Sequence, residues 1–211
     1  MRRFDPCHGE SGAQRLLEVA ERLFAARGFA GASVGEITRV ANVSRPVLYY
    51  HFGSKEGLYL AVARSVAAAY EAALGRAAAG AENLVAKIRR VCWAHAVGGR
   101  ELARLDAAGA SAPSLEGDVA SVSGPCPRLA QAVAAVRALV AEGVEAGELD
   151  GCDPTAAARA LVGAAEASVA MLACAQAEPP SLEQVNEALD IVLRGLVRDE
   201  DQAGTDRPET R

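Results

Sequence analysis

The chain has 211 residues, enough for one large domain or two small ones, and 51% hydrophobic with 23% charged residues excludes a disordered chain. Aromatics are only 4% while alanine occurs 47 times, which favours helices packed through small side chains over sheets. The net charge of −5, from 22 basic and 27 acidic residues, argues against a protein that coats nucleic acid by bulk charge.

Residues 1–9 read as an N-terminal arm. Arg2 and Arg3 have no apolar core behind them, so no secretory signal is expected. Ser11 and Gln14 form a capping-box pattern that opens a helix with Leu16, Ala20, Leu23 and Phe24 on one stripe, and Gly28 is placed to end it. Ser33 and Glu36 repeat the pattern and open a short helix with Val34, Ile37, Val40 and Ala41 expected inward. Asn42-Val43-Ser44 is a turn, because Asn tolerates the left-handed conformation. A third helix follows over residues 45–52. After Gly53, Ser54 caps a fourth over residues 55–79.

Longer helices are expected beyond Gly80: one over residues 82–97, a shorter one to 108, and one over 128–146. The Gly, Ser and Pro content of residues 109–127 makes that segment a loop. Asp153-Pro154 supplies an N-cap and a proline at the first helical position for a helix to residue 177. Pro179-Pro180 stops it, and the capping box of Ser181 and Gln184 opens a last helix ending near 197. Residues 199–211 form a polar tail, expected to be disordered. The fold class is all-α. No stretch is apolar enough to span a membrane.

The five cysteines, Cys7, Cys92, Cys126, Cys152 and Cys174, are odd in number and widely spaced, so free thiols in a cytoplasmic protein are expected rather than disulfides. Cys92 and His95 are three apart on a helix and can face the same way. Two ligands do not close a zinc site, and packing or pocket lining accounts for the pair. No metal or cofactor is expected. There is no Walker-type loop, no G-x-S-x-G elbow and no H-E-x-x-H pair, and His51 and His95 have no evident catalytic partners, so the chain does not read as an enzyme.

The chemistry lies in residues 34–55, a helix, a three-residue turn and a helix, the arrangement that places a second helix in the DNA major groove. Leu48 and Phe52, four apart, anchor the buried face of that second helix. Arg45, Val47, Tyr49, Tyr50 and His51 take the remaining positions. Tyrosine hydroxyls and histidine N–H groups donate to phosphate oxygens, and arginine donates bidentately to guanine. Lys55, one of only two lysines, starts the next helix, where its charge and free backbone N–H groups suit a phosphate.

The string Val40 to Leu58, with Tyr-Tyr-His-Phe, two intervening residues and then Lys, resembles the TetR family of bacterial transcriptional regulators. Ser33-Val34-Gly35-Glu36-Ile37, Ala20-Glu21-Arg22-Leu23-Phe24 and Arg27-Gly28-Phe29 extend the resemblance over about residues 10–70. It implies phosphate contacts for Ser33, Thr38, Tyr49, Tyr50, His51 and Lys55, and positions near base edges for Ser44, Arg45 and Val47. Two features depart from the family pattern. Asn42 stands where the turn often has Gly. Pro46 lies in the first turn of the recognition helix, where its missing N–H costs little but where it biases the backbone of Arg45.

The resemblance also implies a DNA-binding domain over residues 10–70, with its helix-turn-helix at 33–52, and a helical regulatory and dimerisation domain over residues 71–198. The helices near 155–177 and 181–197 carry Leu161, Ala165, Val169, Leu172, Val185, Leu189, Val192 and Leu196, more apolar width than one core needs, and are expected to form a dimer surface. Trp93, His95, Asp106, Glu166, Met171 and Cys174 are candidate liners of a pocket for an unknown small-molecule effector. The expectation is a homodimeric repressor on a palindromic operator in double-stranded DNA, released by ligand. The alternative is a regulator of the same fold controlled by a protein partner or by no small molecule. The charge divides accordingly: residues 1–60 hold 8 basic and 6 acidic side chains, +2, and residues 61–211 hold 14 and 21, −7.

Overall fold

The computed structural model describes residues 11–80, 83–109, 125–149, 151–174 and 181–196, without the side chains of residues 106, 125, 126 and 169–174. The expected arm 1–9, most of the 109–127 loop and the tail 199–211 lie outside the described residues. So do the side chains of Asp106, Val169, Met171, Leu172 and Cys174. Among the described residues there are eight helices and no strand: α1 (Gly12–Gly31), α2 (Val34–Val40), α3 (Arg45–Phe52), α4 (Lys55–Ala78), α5 (Leu84–Gly109), α6 (Pro125–Ala146), α7 (Pro154–Cys174) and α8 (Leu182–Leu193). None of these helices is long and apolar enough to cross a membrane.

Helix starts follow their capping side chains. The Ser11 hydroxyl accepts from the Gln14 N–H at 3.2 Å, Ser33 from Glu36 at 3.1 Å and Ser54 from Gly57 at 3.1 Å. Asp153 takes the Thr155 and Ala156 N–H groups with its two oxygens, at 3.1 and 3.2 Å. Only Ser181 and Gln184 complete the reciprocal box. The Gln14 side chain turns to Glu18 instead, and the Glu36 carboxylate takes Arg27 at 2.7 Å. Gly28 does break α1, at a φ of 70°, but one further turn carries the helix to Gly31.

Two expectations need correction. Val40 is 47% exposed, because the inward stripe of α2 runs through Val34, Ile37, Thr38 and Ala41, and Val40 falls off that spacing. Residues 82–108 are not two helices. One continuous α5 is capped by Asn83, whose side-chain oxygen accepts from the Ala86 N–H at 2.9 Å, and it runs through Gly98-Gly99 unbroken.

The chain divides into two compact units, Met1–Ala69 with Arg100–Pro127, and Tyr70–Gly99 with Arg128–Arg211. A boundary at residue 70 therefore separates the sequence but does not by itself describe the first unit, which also takes the C-terminal part of α5. The reason is in its core. Leu16, Phe24, Phe29, Ile37, Leu48, Leu58, Tyr59 and Leu105 are all buried in one cluster. Tyr59 meets Phe24 and Phe29 edge-on, with centroids at 4.8 and 5.4 Å, and its hydroxyl donates to the Leu105 carbonyl. In the second unit α7 packs on α8, and Ile88, Val91, Val136, Val140, Leu161, Val162, Val185 and Leu189 are buried.

Candidate functional site

In the first unit, α1, α2 and α3 pack against one another. The turn between α2 and α3 closes with Asn42 at a φ of 52° and the Val43 N–H donating to the Thr38 carbonyl at 3.0 Å. Leu48 is fully buried and holds α3 by one face, with Phe52 packed against the same core. Gly53 ends α3 with a φ of 73°. Gly57 is needed just beyond, since a Cβ there would overlap the Phe52 carbonyl oxygen.

The opposite face of α3 is open. Tyr50 is 85% exposed and Tyr49 50%, and Arg45, Pro46 and His51 are exposed beside them. The Tyr50 and His51 rings pack edge-on with centroids at 5.1 Å, which ties down two long side chains without burying either. Ser44 N-caps α3 without using its side chain, so its hydroxyl, unlike those of Ser11, Ser33, Ser54 and Ser181, makes no cap bond. A groove of about 740 Å³ runs along this face between the start of α1 and α3, lined by Arg15, Ser44, Val47, Tyr50 and His51 among others. Arg45 lies back along α2: a Cβ at Gly35 would sit 2.7 Å from its Nη2.

The structure thus brings Ser44, Arg45, Pro46, Val47, Tyr49, Tyr50 and His51 onto one short helix and its cap. Ser33 is exposed at the start of α2, with its oxygen engaged as that helix's cap. Lys55 places its ammonium 4.2 Å from the centre of the Phe29 ring, a cation–π contact that leaves it half-buried. Thr38 does not join them. It is 5% exposed, and its hydroxyl donates back to the carbonyls of Val34 at 2.9 Å and Gly35 at 3.2 Å.

The second unit holds a polar cluster. His95 is 1% exposed. Its Nδ1 lies 2.6 Å from the Tyr70 hydroxyl, which also reaches the Arg128 carbonyl at 3.2 Å, and its Nε2 lies 3.2 Å from a Glu166 oxygen. That oxygen stands off the N–H direction, so Nε2 makes an electrostatic contact without a hydrogen bond. The Tyr70 hydroxyl has a single proton for two neighbours, the Arg128 carbonyl and His95 Nδ1, and the direction of the bond to Nδ1 follows the histidine tautomer. Burial lowers the His95 pKa, and Glu166 opposes that shift in part; burial likewise raises that of Tyr70. His95 therefore has partners that its sequence neighbours do not reveal. Cys92, also buried, has its thiol pushed up to about 12 and is inert packing. Trp93 is half-buried.

Of the expected dimer residues, Leu161, Ala165, Val185 and Leu189 are fully buried within the single chain, so they are core and not surface. Val192 and Leu196 are half-buried. The exposed side of α7 instead carries the small residues Ala156, Ala160, Gly163 and Ala167 together with Arg159, and Ile191 of α8 is 79% exposed. Sequence reasoning missed these small residues because it weighed apolar bulk; the signal was small residues at spacings of four, three and four.

The family described as bacterial regulatory proteins of the tetR family matches residues 16–62, and a tetracyclin repressor-like C-terminal domain matches residues 125–196. The chain is 46% identical over 55 residues to the HTH-type transcriptional repressor AcnR of Corynebacterium glutamicum, covering 26% of this chain and 29% of that protein. It is 52% identical over 48 residues to the HTH-type transcriptional activator FasR of Mycolicibacterium smegmatis, covering 23% and 22%. The chain thus spans less than a third of the length of either relative. A solved structure of a protein of unknown function from a Rhodococcus species is 27% identical, with a TM-score of 0.68 over 92% of this chain and all of that one.

Proposed function

The chain belongs to the TetR family of bacterial regulatory proteins, and on that premise we propose that it is a homodimeric transcriptional repressor, held on a palindromic operator and released by a small-molecule effector. The observation that carries the DNA-binding reading is the open face of α3. Two tyrosines and a histidine stand exposed on a helix whose other side is fixed by Leu48, and a packed core gives no reason for them. In this reading Ser33, Tyr49, Tyr50, His51 and Lys55 hold phosphates, and Ser44, Arg45 and Val47 face base edges. Arg45 must swing away from Gly35 to do so.

The small residues Ala156, Ala160, Gly163 and Ala167 on the exposed side of α7, with Arg159 beside them, support self-association, because small side chains let helix backbones approach closely, and a two-fold dimer matches two half-sites. The effector acts by favouring a conformation with a different separation of the two recognition helices. The expression sign is the least constrained element, since one matched relative is a repressor and another an activator.

The test uses the full chain and the DNA upstream of its own gene. Salt-sensitive binding that survives excess unrelated duplex is expected; equal binding to all duplexes contradicts the reading. A broad compound set should contain members that lower operator affinity. If none does while operator binding is intact, control by a protein partner is favoured. Ala160→Arg should yield monomers in sedimentation, and an unchanged dimer would remove α7 from the interface.

A further inference from the structure

We propose that Arg15 of α1 is a phosphate contact, and that the groove between the start of α1 and α3 seats one sugar–phosphate strand of the operator. The inference rests on the DNA-binding reading and adds to it a residue from outside the helix-turn-helix.

The placement of Arg15 follows from its neighbours. Leu16 is fully buried in the core of the first unit, which fixes the face that α1 turns inward. Gly12, three residues before Arg15, shares a side of the helix with it, and both line the groove. A Cβ at Gly12 would touch the Val43 and Val47 side chains at 3.8 Å, so the start of α1 sits directly against the turn and α3. Arg15 reaches from there to the end of α2, where its Nε donates to the Ala41 carbonyl at 3.3 Å. That bond holds a long side chain at the groove wall and reduces the freedom it must lose on binding. A guanidinium has five N–H donors in a fixed fork, so Arg15 can keep the Ala41 bond while it donates to a phosphate.

Charge and chemistry select the occupant. None of the residues lining the groove is acidic, although the chain carries 27 acidic side chains against 22 basic ones. Arg15 and His51 bring N–H groups to the groove, Ser44 and Tyr50 bring hydroxyls, and Val43 and Val47 lie between them as apolar surface. A DNA strand has the matching alternation, anionic phosphates joined by deoxyribose rings with apolar faces. The groove is also continuous with the reading face of α3, because Ser44, Val47, Tyr50 and His51 belong to both.

The experiment measures the affinity of the full chain for its operator and for a scrambled duplex over a range of salt concentrations. Arg15→Gln should lower the slope of log affinity against log salt by about one. It should weaken both duplexes alike, by about tenfold, because a phosphate carries no sequence. Arg15→Lys keeps the charge and should keep the slope. Neutral methylphosphonate linkages, placed one at a time along the operator, should include a position that weakens the unaltered chain and leaves Arg15→Gln unaffected. A role confined to holding Ala41 would weaken binding at constant slope, in Arg15→Lys as in Arg15→Gln, and would overturn the proposal. So would unchanged affinity in Arg15→Gln, or the same methylphosphonate profile in both proteins. Should the chain bind all duplexes alike while Arg15→Gln still lowers the slope, the contact stands and the operator reading fails. Should it prefer its operator with an unchanged slope in Arg15→Gln, the operator reading stands and the contact falls. Binding to no duplex overturns both.

Discussion

The two units differ in where their polar side chains stand out: in the first on an exposed helix face, in the second within a buried cluster. In the first, many polar groups are satisfied within a few residues along the chain, at caps and turns, Tyr59 and Arg15 reach distant carbonyls of Leu105 and Ala41, and tyrosine and histidine side chains stand in solvent on α3. In the second, polar groups reach across the unit: His95 meets Tyr70, 25 residues away, and Arg89 pairs with Asp190, 101 residues away. Among the described residues, Arg128 Nε and Nη1 and the side-chain oxygen of Asn186 are buried without a hydrogen-bond partner. A surface that reads a rigid polyanion can afford a fixed display of donors.

The largest expected effect tests the rigidity of the first unit. Tyr59→Ala removes a fully buried ring between Phe24 and Phe29 and should destabilise by about 3–5 kcal/mol in chemical denaturation. A loss below about 1 kcal/mol would mean that the unit is loosely packed and that α3 is not held by its core.

The next effect tests the second unit through pH. The folded pKa of His95 lies below its ordinary 6.5, so the unfolded chain takes up the proton first as pH falls. Stability from this group is fully present above about pH 6.5 and declines below it, toward the lower folded value. The groups facing the ring are Tyr70 of α4, Arg128 of α6 and Glu166 of α7; Glu166 alone opposes the shift. The denaturation midpoint should fall between about pH 7 and pH 5, and His95→Gln should flatten that slope. Equal slopes in both proteins would show that His95 titrates alike folded and unfolded.

The smallest effect concerns Lys55. Lys55→Ala should lower the slope of log affinity against log salt by about one, with little change in sequence preference. An unchanged slope would leave Lys55 as a partner of Phe29 only.

The same contrast explains what the sequence could tell. Caps and turns are local, so Ser11, Ser33, Ser54, Asp153 and Ser181 marked their helices, and Asn42 marked the left-handed turn. The tyrosine pair stood out because no apolar stripe accommodates it. Thr38 misled because its position in the pattern was visible and its bond back to Val34 was not. The expected end of a helix at residue 97 is absent, and the neighbours of Gly98 and Gly99, Tyr70 and Arg128, lie in helices distant in sequence. Arg128 went unnoticed at the edge of a Gly-, Ser- and Pro-rich segment. Leu161 and Val185 were taken for interface because apolar width does not say which side of a helix its own chain covers.

The most direct test of the account is the ratio of affinities for operator and scrambled duplex, measured at one salt concentration for the unaltered chain and Arg45→Ala. The account predicts a large ratio that Arg45→Ala lowers by about 1–3 kcal/mol, with binding to scrambled DNA nearly unchanged. A ratio near one in the unaltered chain, or an equal loss on both duplexes in the variant, would contradict the claim that α3 reads sequence through Arg45.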